Sequence, residues 1–148
     1  CEEPRERMVV LMTASGPGHP LSWEEAAGYV LRNDDQPYMM QTRHGPLVQI
    51  PYSNDINDFA VFSRGAMAAS GAFERFRDEF DVLYEESAKS GRMMNIGLHP
   101  HVMGRGFAVK ALRQFIAYVK EFDDVWFPKR EEISDWYAEN HASHISAD

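Results

Sequence analysis

Between residues 47 and 140 the apolar positions alternate between short unbroken runs and longer stripes with helical spacing. The run 47–52, LVQIPY, is bounded by Gly45 and Pro46 before it and by Ser53, Asn54 and Asp55 after it, which predicts a strand. A polar, irregular stretch, SNDINDFAVFSRG, follows, and a segment placed after a strand in this way is where a scaffold usually carries function. Phe73, Phe76, Phe80, Leu83 and Tyr84 then recur at helical steps with acids and arginines between them, predicting a helix over 73–86. That aromatic stripe reads as core, not as a cofactor box. The run 93–98, MMNIGL, is too short for a helix and predicts a buried strand. Val109, Leu112, Phe115, Ile116, Val119 and Phe122 share one face of a helix over 107–122. DVWF, 124–127, predicts a further short strand, REEISDWYAEN a last helix over 130–140, and HASHISAD a tail.

Upstream, EEPRERMVVLMTAS predicts a helix over 2–15. Pro4 suits its first turn, Glu2, Glu3 and Glu6 lie where the helix dipole favours anions, and Met8, Val9 and Met12 make a short apolar face. GPGHP, 16–20, ends that helix. SWEEAAGYVL starts another, with Ser22 as N-cap and Glu25 three residues on as a capping box. RNDDQP is a loop. There is no internal repeat and no low-complexity segment.

The order strand, helix, strand, helix, strand, helix from residue 47 onward implies a parallel sheet covered by helices. Parallel sheets want both faces and both edges covered, so three strands read as half of an α/β sheet or barrel. The 148 residues suffice for one domain, and 44% hydrophobic with 26% charged is a globular composition. A formal net charge of −8 argues against nucleic acid or an anionic membrane surface as partner. No run approaches the roughly 18 apolar residues of a membrane helix. A single cysteine allows no internal disulfide and fits a reducing, cytoplasmic setting. Cys1 is read as the place where the chain begins, in preference to a processed N-terminal nucleophile.

The candidate chemistry sits at one strand end. His99 follows Leu98 directly, and active sites of α/β barrels and open sheets gather at the carboxyl ends of strands. In an extended segment residues i and i+2 point the same way, so His99 and His101 would share a face across Pro100. Histidine there serves as general acid, general base or metal ligand, and Arg105 lies near enough to orient a carbonyl or carboxylate. Against this, a histidine after a strand is commonly structural, and a His-x-His pair without a third ligand is a weak metal signal. Asp55 and Asp58 are a possible carboxylate pair, though such residues after a strand more often make a turn or a helix cap. His141 and His144 read as solvated, and His19 and His44 as loop residues. Trp126 is core by default, or the wall of a pocket.

Read as a set, the stretches NDDQPY, IPYSNDINDF, FDVLYEE, MNIGLHPHVMGR and VWFPKREEISDWY make the chain resemble NodB-like polysaccharide deacetylases. The resemblance runs from about Asp34 to about His141, covers the C-terminal half of that family, and is closest to the branch holding the cofactor-independent allantoinase and cyclic-imide hydrolases. The opening EPRERMVVLM is similar to the family's helix before its middle strands. It implies an α/β fold: the C-terminal half of a distorted (β/α) barrel over 34–140, led by a helical segment over 1–33 and followed by a tail over 141–148.

The chemistry so implied is hydrolysis of C–N amide bonds. His99 matches the family's late Leu-His motif, whose histidine acts as general acid or stabilises the oxyanion; His101, Arg105 and Trp126 would shape the substrate pocket. The family's metal ligands and base lie upstream of anything in this sequence, so no metal is expected on this chain, and a divalent ion such as zinc would be held by residues not present here. The middle Arg and Pro motif is not apparent either. The expected function is therefore part of a cytoplasmic, allantoinase-like hydrolase of a small cyclic amide, imide or ureide. A second chain carrying the N-terminal half, or sequence missing from this one, would complete it as an oligomer. The alternatives are a non-catalytic subunit that completes or regulates a partner barrel, and a metal-dependent polysaccharide N-deacetylase.

Overall fold

The computed structural model describes residues 8–14, 36–53 and 55–143. Its elements are β1 (Met8–Ala14), β2 (Tyr38–Thr42), β3 (Gly45–Gln49), a π-helical segment (Phe59–Arg64), α1 (Ala69–Glu86) and β4 (Arg92–Leu98), then α2 (Pro100–Met103), α3 (Gly106–Val119), β5 (Val125–Trp126), α4 (Arg130–Asn140) and a 3-10 turn at His141–Ser143. The periodic blocks downstream of residue 66 thus form the elements their spacing predicts, with ends shifted by a few residues.

Residues 8–14 are a strand, not part of the helix expected over 2–15. β1 is the middle strand of a parallel sheet ordered β4-β1-β5. Its register with β4 runs without a break from Met8 beside Arg92 to Ala14 beside Leu98. The sequence MVVLMTA explains the outcome. It is apolar at almost every position instead of at helical intervals, and the adjacent Val9 and Val10 lose rotamer freedom in a helix. A near-continuous apolar run is what a strand flanked on both sides requires. The helix expected from Ser22 lies outside the described residues.

The run 47–52 also divides. Leu47 to Gln49 belong to β3, which pairs antiparallel with β2 in a separate hairpin, not with the parallel sheet. Gly45 sits at φ 115°, a backbone angle that favours glycine, directly after the two-residue turn Arg43-His44. Thr42 Oγ1 accepts the His44 N–H at 3.1 Å and donates to the Gly45 carbonyl at 2.8 Å. The strand that completes the parallel sheet is β1.

The main core lies between β4, α1 and α3. Met94 and Ile96 of β4 pack there with Ala72, Phe76 and Phe80 of α1 and Ala108, Ala111, Phe115 and Val119 of α3. The fully buried alanines let the helices approach closely, and the aromatics fill the remaining space edge-on: Phe76 meets Phe115 at 5.7 Å and Phe80 meets Phe122 at 5.0 Å. Each buried phenylalanine contributes about 1.5–3 kcal/mol of transfer free energy. The opposite face of β4 is different. Met93 joins a small cluster with Ile133 of α4, Ile50 and Trp126. Further along this face the strand meets polar groups from residues 51–58, and there the candidate site begins.

Candidate active site

Residues 50–53 and 55–58 run along the odd-numbered face of β4. Ile50 packs by Met93, and Asn95 Nδ2 donates to the Pro51 carbonyl at 2.8 Å. The Tyr52 hydroxyl occupies the space a Gly97 side chain would need, and Asp58 reaches His99. Alternation along the strand puts Met93, Asn95 and Gly97, and the extended His99 just past its end, on one side. The same alternation sends Met94 and Ile96 into the main core.

Asp58 and His99 make the central contact. Asp58 is 0% exposed, between the buried Ile56 and Val61. Its Oδ2 accepts the backbone N–H of His99 at 2.7 Å, and its Oδ1 lies 2.6 Å from His99 Nδ1. A carboxylate accepts at both oxygens, so Nδ1 carries the proton and Nε2 is the nitrogen left for chemistry. Asp58 stands at the N-cap position of the π-helical segment, but its side chain makes no cap bond. The cap that its sequence position suggests is given up for the histidine. Asp55 is exposed, so the two aspartates do not share an environment.

His99 is fixed on its other side as well. Its carbonyl accepts from Val102 N at 2.9 Å and Met103 N at 2.8 Å, while the side chains of Val102 and Met103 are buried. Pro100 is the first residue of α2, so His101 lies in a helical turn, not the extended segment expected. The two rings are nonetheless close, edge to face with centroids 5.7 Å apart. His99 keeps 25% side-chain exposure, and Phe59, itself 41% exposed, tilts over it at 6.0 Å. The result is a half-open imidazole with a buried anion behind it, an aromatic beside it and a second, exposed histidine at its rim.

Arg105 is exposed at the N-cap position of α3. Trp126 is half-buried in the small cluster with Met93 and Ile133. It pairs across the sheet at Val9, level with Met93, so six strand residues, about 20 Å, separate that level from His99. The structure therefore unites His99 and His101, places Arg105 just beyond them and leaves Trp126 in the core at the far end. His44 is exposed in the hairpin turn, and His141 bonds the Ala138 carbonyl at 3.0 Å. Cys1, His19 and His144 lie outside the described residues.

Sequence reasoning undervalued Asp58 and missed Tyr52, Asn57 and Phe59. The available signal was Ile56, Val61 and Phe62: an aspartate set among apolar residues is one the chain is prepared to bury. Asn57 Oδ1 accepts the Phe59 N–H at 2.8 Å, and Asn57 Nδ2 donates to the Tyr52 hydroxyl. Burial pushes the Tyr52 phenol up, the Asn57 bond opposes this, and the charge of Asp58 adds to the rise. Among the described residues no three His, Cys, Asp or Glu side chains stand close enough to hold a metal ion. With Nδ1 of His99 committed to Asp58, this site offers too few donors to hold one by itself.

No family model matches the chain. A curated Schizosaccharomyces pombe protein named "Putative polysaccharide deacetylase" is 31% identical over 120 residues, covering 74% of this chain and 38% of its own length. Among solved structures, a "probable Polysaccharide deacetylase" from Pseudomonas aeruginosa PAO1 superposes with a TM-score of 0.69 at 38% identity, covering 74% of this chain and 37% of that one. A PuuE allantoinase superposes at 0.67 with 36% identity and the same two coverages. The chain thus spans less than two fifths of the length of these relatives.

Proposed function

From a chain that is a partial homologue of the NodB-like polysaccharide deacetylases, PuuE allantoinase among them, and that folds as part of such a barrel, we propose the late, histidine-bearing end of an amidohydrolase active site. The substrate class we favour is a small cyclic amide, imide or ureide in the cytoplasm. The rest of the barrel, with the base and any divalent metal, would come from a second chain or from sequence beyond this one, in an oligomeric assembly.

The observation that carries the proposal is the grip of buried Asp58 on both the ring and the backbone of His99. Here a buried anion fixes the tautomer and orientation of a ring that keeps 25% side-chain exposure beside Phe59 and has Nε2 left for chemistry. In the reaction, water gives a proton to the base supplied by the rest of the assembly as its oxygen bonds to the amide carbon, and the carbonyl π pair moves onto the oxyanion. The imidazolium, stabilised by Asp58, hydrogen-bonds the tetrahedral oxyanion or gives its Nε2 proton to the leaving nitrogen as the C–N bond breaks. His101 and Arg105 would line the entrance. A metal, where the assembly holds one, would polarise the carbonyl.

In the complete assembly His99→Ala is expected to lower kcat by about 10²–10⁴-fold. Asp58→Asn should cost a comparable factor, because the amide can donate to Nδ1 and so favours the wrong tautomer. Near-wild-type turnover in His99→Ala would end the catalytic reading and leave a subunit that only completes a partner barrel. The names of the fission-yeast and Pseudomonas relatives favour a second reading, a metal-dependent N-deacetylase of sugars. Ring-opening of a cyclic imide that survives a chelator would count against it. Loss of all activity with the chelator, together with release of acetate from an N-acetylated oligosaccharide, would replace the first reading.

A further inference from the structure

Asp58 stands at the N-cap of a short π-helical segment outside the sheet, yet the dyad needs its carboxylate held to within about 0.5 Å. The neighbouring residues show how. Asn57 and Phe59 flank Asp58, and the Asn57 side chain bridges the two by accepting the Phe59 N–H at 2.8 Å, an Asx turn that fixes the backbone through Asp58. The amide end of Asn57 donates to the Tyr52 hydroxyl. Tyr52 is seated against β4 where Gly97 leaves room. A Cβ on Gly97 would collide with the phenol oxygen and come within 2.7 Å of Tyr52 Cζ and 3.0 Å of Asn57 Nδ2. Gly97 and His99 face the same side of the strand, two residues apart.

We infer that Tyr52, Asn57 and Gly97 form a positioning lock, in which the phenol fills the vacancy at Gly97 and, through Asn57, holds Asp58 in register with His99. The inference rests on the catalytic reading of His99 for its effect on turnover, but not for its structural content. It assigns a task to three residues that do not touch the reacting atoms. It also accounts for a glycine inside a buried strand, where a side chain would otherwise pack better.

The test uses Tyr52→Phe, which removes one oxygen, and Asn57→Ser, which keeps an oxygen for the Phe59 N–H but loses the donor to Tyr52. Proton NMR of the histidine-labelled protein reads the far-downfield Nδ1–H signal of His99, assigned by its loss in His99→Gln. A positioning role predicts that both variants keep the wild-type circular dichroism spectrum while this signal broadens or vanishes through exchange with water. It also predicts a fall in kcat of about three- to tenfold, the worth of one hydrogen bond, at unchanged KM. Gly97→Ala should show the same pattern more strongly, and combining it with Tyr52→Phe should add little, because both break one lock. A sharp wild-type Nδ1–H signal in folded Tyr52→Phe and Asn57→Ser overturns the inference. So does strict additivity of Gly97→Ala and Tyr52→Phe. The NMR signal needs no substrate, so failure of the hydrolase reading would appear in the turnover assay while leaving this result intact.

Discussion

Two side-chain oxygens on one aspartate decide what His99 can do. Asp58 takes the backbone N–H and the ring N–H of the same residue, so truncating the ring removes a charge-assisted bond to a fully buried carboxylate. His99→Ala is therefore expected to destabilise the fold by about 1.5–3 kcal/mol, read as a shift in denaturant midpoint at constant slope. His101→Ala, at an exposed position, should move it by less than about 0.5 kcal/mol. Equal shifts for the two would mean that the dyad contributes nothing to folding. His99 was legible because a histidine at a strand end is a local sign. Asp58 was not, because its partner lies 41 residues away and its local neighbours, Asn57 and Ser53, look like turn chemistry. Its apolar neighbours Ile56, Val61 and Phe62 mark it for burial, but that its partner is His99 is a tertiary outcome that local spacing does not encode.

The paired helices behave as their stripes predict. Phe76, Phe80 and Phe115 are fully buried, and Phe80→Ala should cost about 3–5 kcal/mol in the same denaturant experiment, far more than Val82→Ala on the exposed face. The rim of this interface holds a pH-dependent contact. Tyr118 donates to Asp81 Oδ1 at 2.6 Å, and that bond raises its phenol from 10.0 to about 12. Once the pH passes 10.0, the unfolded chain releases a phenolic proton that the folded chain keeps, up to about 12. The stability this contact gives is thus complete below pH 10 and lost as pH rises through the folded value. Melting temperature should fall more steeply between roughly pH 10 and pH 12 in the wild type than in Tyr118→Phe. Parallel curves would remove the contact from the stability account. Helices were readable here because α1 and α3 each present one face to one core. β1 was misread because a strand apolar on both faces has no period to count, and its preceding proline and acids imitate a helix start. The β2–β3 hairpin escaped notice because its pairing depends on one glycine with positive φ and not on an apolar pattern.

At the scale of the whole molecule, the described sheet has three parallel strands, with β4 and β5 at its edges. The relatives are about twice as long as this chain, which covers less than two fifths of each. The assembly we propose predicts that native mass spectrometry of the active material finds this sequence joined to further barrel sequence, covalently or as a bound second chain. A lone species of 16.9 kDa that opens cyclic imides at full rate would contradict the need for completion. Fold class was legible from the alternation of strands and helices, while the order β4-β1-β5 was not, since nothing in a strand's own residues names its neighbour.

The double grip of Asp58 carries a last consequence. Because ring and backbone hang from one carboxylate, the imidazole cannot swing without pulling the end of β4 with it. His99 is a post set in the frame, not an arm. In the assembly we propose, substrate would have to be brought to it, and any closure would be made around this histidine by other parts.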